Sequence, residues 1–365
     1  MRAVHLLARG FRNLAGLDLD LPPGGAAFLG PNGHGKTSVL ESLYYPVLYR
    51  SFRAAADLDV CRWDGLGFQV TVQAETATGA GEYAASFLRD GRKKLITVDG
   101  VETLRLADAV GRWLAVAFLP TDLRLVQGPA AERRQYLDRV LSLSDPAYLR
   151  ALLRYRGVVA QRNAALRAGR ADLARAFEPG LAEPGAYVVR QRLAWVTATA
   201  PRFVAECDAM GETMTPSLRY RGNADLADSG AWAVALEAAA SRETARGMSL
   251  VGPQRDDLVL DLDARSLREF GSTGQQRTAA IALKLCELTT LGEMRGTEPV
   301  LLLDDVFAEL DRDRQERLAQ RLGGPGVRQV FVTAPRRDEL PPALELPVFE
   351  VREGRVSSEQ EARKE

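Results

Sequence analysis

The stretch Gly30-Pro31-Asn32-Gly33-His34-Gly35-Lys36-Thr37 constrains this chain more than any other. It is a complete G-x-x-x-x-G-K-[ST] loop, and its flanks agree with it. Ala26-Ala27-Phe28-Leu29 reads as a short buried strand, and Ser38-Val39-Leu40-Glu41-Ser42-Leu43 as the opening of a helix. Glycines let successive backbone N–H groups face one anion at the positive end of the new helix. Residues Gly30, Pro31, Asn32, Gly33, His34, Gly35, Lys36, Thr37 and Ser38 are therefore expected to hold the phosphates of ATP. Lys36 would reach the β- and γ-phosphates and Thr37 would ligate Mg²⁺. His34 stands at a free position of the loop and is given no chemistry of its own.

The scarce residues exclude other chemistries. His5 and His34 are the only histidines, too few for a histidine-based triad or metal cluster. Cys61, Cys207 and Cys286 are scattered without C-x-x-C spacing, which suits reduced thiols. No apolar run is long enough for a signal peptide or a membrane span, so the expected location is cytoplasmic. Formal net charge is zero, so binding to a polyanion would need a local patch.

Before the loop, residues 2–29 carry two or three short strands, with Phe11-Arg12-Asn13 between them. Arg12 is either a solvated turn residue or a group leaning over the phosphates. Pro46 is expected to end the first helix. From 66 to 102 the apolar period becomes two, with turn signals at Asp90-Gly91 and Asp99-Gly100, which predicts an antiparallel β-layer. Arg92-Lys93-Lys94 reads as a solvated hairpin tip or a polyanion contact. Beyond Pro120 the chain turns to helix-forming Ala, Leu and Arg until about 250. Within 133–175, ten arginines stand against three aspartates with no lysine. Either this is a nucleic-acid backbone contact or an ordinary arginine-rich helix surface. Two antiparallel helices in 130 residues would reach at most ~95 Å, and prolines 146, 179, 184, 201 and 216 interrupt even that. The expectation is a compact helical lobe, not a long coiled coil.

Ser272-Thr273-Gly274-Gln275 then opens an amphipathic helix, and Val300-Leu301-Leu302-Leu303 runs as a buried parallel strand into Asp304-Asp305. Asp304 is placed as the Walker B carboxylate holding Mg²⁺. Asp305 is placed as the base that orients the attacking water, and Lys36 completes the catalytic set. Gln329–Val332 is a last strand with Thr333 at its end, on the same edge. A phosphate loop, S-x-G-Q, a Walker B aspartate and Glu309-Leu310-Asp311, in that order, define an ABC-type ATPase. In that class Ser272, Gly274 and Gln275 bind the γ-phosphate held by a second copy, so ATP clamps two heads together and hydrolysis releases them.

From residue 11 to 311 the chain resembles the RecF family, bacterial replication and repair proteins related to SMC and Rad50 heads. The resemblance is carried by Phe11-Arg12-Asn13, the phosphate loop, Gly128-Pro129 with Arg133-Arg134-Gln135-Tyr136-Leu137-Asp138, Gly252-Pro253-Gln254-Arg255-Asp256-Asp257, Ser272–Arg277 and Leu303–Asp311. It implies an α/β ABC-type P-loop ATPase with a head in 1–120 and 251–352 and a helical lobe in 121–250, while the charged, patternless tail in 353–365 is expected to be disordered. It also implies slow, DNA-stimulated ATP hydrolysis, an ATP-dependent homodimer on DNA at single-strand gaps beside duplex, and work with RecR and RecO to load RecA and support the SOS response. Arg12 would approach the nucleotide, and Arg255 with its two aspartates would support the signature region.

Three departures stand out. Gln254 replaces the histidine usual in G-P-H-R-D-D, no Q-loop glutamine is placed (Gln127 lies at the right junction), and Asp305 stands where most ABC proteins carry glutamate. The alternative reading is the ATPase subunit of another ABC machine, SMC-like or transporter-like. It leaves the arginine-rich lobe and the family-specific stretches unexplained.

Overall fold

The computed structural model describes residues 1–76, 79–323 and 329–358. Two compact units form: Met1–Asp122 together with Glu287–Glu365, and Leu123–Cys286.

In the first unit the strands are β1 (Arg2–Phe11), β2 (Leu14–Asp20), β3 (Gly25–Leu29), β4 (Gly67–Thr76), β5 (Gly79–Leu88), β6 (Lys93–Val98), β7 (Val101–Glu102) and β8 (Ala115–Phe118). In the second unit follow β9 (Pro216–Arg221), β10 (Asp257–Leu262) and β11 (Arg265–Ser266). Back in the first come β12 (Val300–Asp304), β13 (Val330–Ala334), β14 (Val348–Arg352) and β15 (Arg355–Ser358). Among the described residues, the expected antiparallel layer is a six-stranded sheet in the order β2-β1-β4-β5-β6-β7. A second six-stranded sheet has the order β15-β14-β3-β13-β12-β8, parallel from β14 to β8. Its central strands β3, β12 and β13 are buried along their whole length, as continuous apolar runs require.

Helix Lys36–Leu48 ties the two sheets together. Tyr45 packs edge-on against Phe11 and Phe68 (5.7 and 5.2 Å between ring centres), and Phe68 stacks on Phe87. Pro46 does not end this helix. Proline lacks only one backbone donor, and the helix closes at Tyr49, in left-handed conformation. The hairpin tip also differs from a solvated cluster. Lys94 donates to the Tyr49 carbonyl and to Asp57 (3.0 Å) and lies over the Tyr45 ring, whereas Arg92 and Lys93 are exposed.

The second unit packs helices Ala130–Ser144, Pro146–Arg167, Pro179–Ala209 and Ala231–Arg246 with the sheet β11-β10-β9. Two expectations change here. Pro184 and Pro201 lie inside one continuous helix rather than interrupting it. The unit also runs to Cys286, past the expected boundary at 250, because β10 pairs along its length with β9. The tail needs correction too: residues 353–358 form the turn and last strand of the β14–β15 hairpin, and 359–365 lie outside the described residues. Among the described residues no helix is long and apolar enough to cross a membrane.

Candidate nucleotide-binding site

Strand β3 delivers the loop at the carboxyl edge of the parallel strands, where open α/β sheets place their ligands. Gly30 has φ 153°, and a Cβ there would stand 2.2 Å from the Val351 carbonyl oxygen, so only glycine allows this approach. Gly35 caps helix Lys36–Leu48 without a side-chain bond, and no acidic residue occupies the first turn. The first N–H groups are thus left to an anion. Lys36 is buried and folds back over the loop, its Nζ donating to Gly30 O (2.8 Å), Pro31 O (3.2 Å) and Asn32 Oδ1 (3.3 Å).

Two strand ends and the helix start converge beside it. The Thr37 hydroxyl donates to Asp304 Oδ1 at 2.9 Å, and the Thr333 hydroxyl donates to the same oxygen at 2.9 Å. Thr333 Oγ1 in turn accepts the Asp305 amide at 2.9 Å, in a turn where Asp305 has φ 49°. Burial pushes the Asp304 carboxyl above the usual carboxylate range. The two threonine hydroxyls oppose this shift, and the neighbouring Asp305 adds to it. A hydroxyl and a desolvated carboxylate 2.9 Å apart form an all-oxygen pair that suits a hard cation such as Mg²⁺.

The rest of the loop is held from both ends of the chain. Asn13 Nδ2 donates to Gly33 O (3.3 Å) while its Oδ1 accepts from Ser38 Oγ (2.9 Å). His34 O accepts the Gly354 amide (2.9 Å), and His34 Nδ1 accepts the Glu353 amide (3.2 Å). Arg12 lines the same cleft, but its guanidinium forms a two-pronged pair with buried Glu41 (Nη2 to Oε1 2.7 Å, Nε to Oε2 3.0 Å). The cleft has a volume of about 770 Å³ and is lined by the loop, Arg12, Arg53, Asp305 and the turn around Trp63.

In the second unit, helix Thr273–Arg295 starts with a reciprocal cap. Gln275 N donates to Ser272 Oγ (3.3 Å), and Ser272 N donates to Gln275 Oε1 (2.9 Å). This leaves the Ser272 hydroxyl proton and the Gly274 amide for a ligand. Gln127 donates to Gln276 Oε1 at 2.7 Å and is thereby tied to this helix. Arg255 is exposed rather than joined to its two aspartates. Asp257 pairs with Arg133 (2.7 Å), and Asp256 with Arg192 (3.3 Å) and Tyr220. Gln254 accepts from Tyr155 and donates to Val251 O. The arginines of 133–175 divide accordingly. Arg133 and Arg162 are buried in ion pairs, while Arg150, Arg154, Arg167 and Arg170 are exposed.

Sequence reasoning missed Arg192, although it shares a helical face with Val188, Trp195 and Val196. An arginine at core spacing predicts a buried acidic partner. It also missed the loop contacts from Asn13 and from residues 353–354, the latter more than 300 positions away.

No protein-family model matches the chain. The RecF protein of Chloroflexus aurantiacus, a DNA replication and repair protein, is 36% identical over 90% of this chain and 92% of its own length. That of Herpetosiphon aurantiacus is 37% identical over 94% of this chain and 95% of its own. The chain belongs to the RecF family. A solved structure of the recombination mediator protein RecF-ATP in the RecFOR pathway superposes with a TM-score of 0.89, at 26% identity over 98% of this chain and 97% of that one. A Pyrococcus furiosus Smc head, at 14% identity and TM-score 0.57, shares the fold, covering 100% of this chain and 98% of its own. This RecF-family chain therefore has the ABC-type ATPase fold expected from its motifs.

Proposed function

We propose that this chain is an ATP-dependent DNA-binding protein of recombinational repair and replication restart, in which ATP closes two copies on DNA and slow hydrolysis releases them. The convergence of Thr37, Asp304 and Thr333 beside the phosphate loop carries the ATP part of this reading. Lys36 and the free N–H groups of the helix start would bind the phosphates. Thr37 and Asp304 would hold Mg²⁺, which supplies neutralising charge to the β- and γ-phosphates when bound. Asp305 would orient a water toward the γ-phosphorus and take its proton as the bond to ADP breaks. Aspartate is one methylene shorter than glutamate, which fits a slow switch better than a fast motor.

Ser272, Gly274 and Gln275 would grip the γ-phosphate held by a second copy, and ADP lacks that group. The names of the relatives support a role in DNA replication and repair, and that of the solved relative a place beside RecR and RecO. The finer reading is a clamp at gap–duplex junctions that helps load RecA and supports the SOS response, with exposed lobe arginines on the DNA backbone. Binding of a gapped duplex with ATP, with ADP and without nucleotide tests it. Affinity should rise only with ATP and not in Lys36→Ala. Equal affinity under all three conditions would refute ATP control.

A further inference from the structure

We propose that Trp63 forms the base subsite of the nucleotide cleft, its indole stacking on the purine ring of ATP. This rests on the proposed nucleotide site and adds a specificity element that the phosphate loop cannot supply, because the loop reads only phosphates.

Trp63 is 97% exposed, whereas Trp113, Trp195 and Trp232 are 0%, 7% and 1% exposed. Leaving an indole in water forfeits its large hydrophobic contribution, and flexibility does not explain its position. The turn that carries it is anchored through Cys61, Arg62 and Gly65. Cys61 bridges Phe11, Arg62 N donates to Gly10 O (2.9 Å), and Arg89 donates to Arg62 O (2.8 Å). Gly65 N closes the turn onto Arg62 O (3.0 Å). The turn is thus anchored to the end of β1, the strand that leads directly into Arg12 and Asn13 beside the phosphate loop. Trp63 lines the same cleft as Gly33, Lys36 and Thr37. At about 770 Å³ the cleft exceeds what phosphates alone would fill and lies in the range of whole-ligand sites.

The charge beside the ring also favours a neutral partner. Arg62 Nε pairs with Asp64 Oδ1 at 2.7 Å, so the flanking charges answer each other and leave little attraction for a phosphate. A rigid aromatic face between self-compensated charges suits an uncharged π-system. Stacking tolerates any base and strengthens with ring size, so purines should bind better than pyrimidines.

Because Trp63 is the one exposed tryptophan of four described, contact quenching of the intrinsic fluorescence by a ligand selects it. The full-length protein would be titrated with ATP, CTP and inorganic tripolyphosphate, with calorimetry alongside. ATP should quench the emission, CTP less so, and tripolyphosphate should bind without quenching. Trp63→Ala should weaken ATP binding roughly tenfold, leave tripolyphosphate affinity unchanged and keep the wild-type circular dichroism. Trp63→Phe should recover most of the affinity. Unchanged ATP affinity in Trp63→Ala, equal quenching by tripolyphosphate, or quenching by a single-stranded oligonucleotide but not by ATP would overturn the base subsite while leaving the phosphate site standing. Binding of neither ATP nor tripolyphosphate to the wild type would overturn both.

Discussion

Thr333 and Asp304 end adjacent parallel strands, and the threonine hydroxyl joins them by donating to Asp304 Oδ1 while accepting the Asp305 amide, both at 2.9 Å. One hydroxyl therefore orients Asp304 and the following acid together. Thr333→Val keeps the shape and removes both bonds. Hydrolysis should fall roughly 10- to 100-fold through misplacement of Asp305, with KM for ATP unchanged, since the proposed phosphate contacts are untouched. Steady-state kinetics check this. A raised KM with unchanged kcat would place Thr333 in binding instead.

Asp304 illustrates a cost of this arrangement. Burial raises its carboxyl pKa in the folded protein, so the folded state binds that proton more tightly than the unfolded chain does. Its contribution to stability is then largest in acid and is lost as pH rises from the ordinary carboxylate value through the raised one. Asp304→Asn removes the charge and can still accept from both threonines. Without nucleotide or metal, the variant should melt about 2 °C higher than wild type at neutral pH while hydrolysing no ATP. A lower melting temperature would show that the carboxylate is stabilising as it stands.

The C-terminal hairpin braces the phosphate loop. Gly354 has φ 76°, its amide meets His34 O, and a Cβ on it would stand 2.1 Å from Asn13 O. Gly354→Ala should cost about 1–3 kcal/mol of stability, read from the urea midpoint. It should also weaken ATP binding, because Asn13 holds Gly33 and Ser38. Full ATP affinity in a destabilised variant would separate the brace from the site.

Two kinds of arginine in the helical unit should behave oppositely. Arg162 pairs with Glu243 at 2.6 Å, both fully or almost fully buried. Arg162→Ala strands that carboxylate and should destabilise the protein by about 3–5 kcal/mol. Replacing exposed Arg150, Arg154, Arg167 and Arg170 by alanine should leave the melting temperature alone. If they touch DNA, the slope of log affinity against log salt should fall by roughly 1 for each phosphate that is no longer neutralised. An unchanged slope would move the DNA-binding surface elsewhere.

What could be read from the residues follows from how local each feature is. The strand and helix that flank the loop at 30–37, the run Val300–Leu303 ending in Asp304, and the period-two strands of 66–102 each declare themselves within a few residues, and the fold has these elements. The hairpin brace at Glu353–Gly354 did not, since a charged tail looks patternless until β14 pairs with β3. Pro184 and Pro201 signalled breaks that the packed helix overrides. The arginine count of 133–175 predicts either a nucleic-acid contact or an ordinary helix surface, yet the segment mixes buried ion pairs with solvated side chains, a distinction set by burial partners such as Asp257 and Glu243 far along the chain.

Sedimentation of the purified protein with ATP, with ADP and without nucleotide, each with and without a gapped duplex, tests the clamp most directly, with Ser272→Arg run in parallel. The account predicts a dimer only with ATP, strengthened by the duplex and absent in the variant. A monomer under every condition, or a dimer indifferent to ATP and to Ser272→Arg, would contradict it.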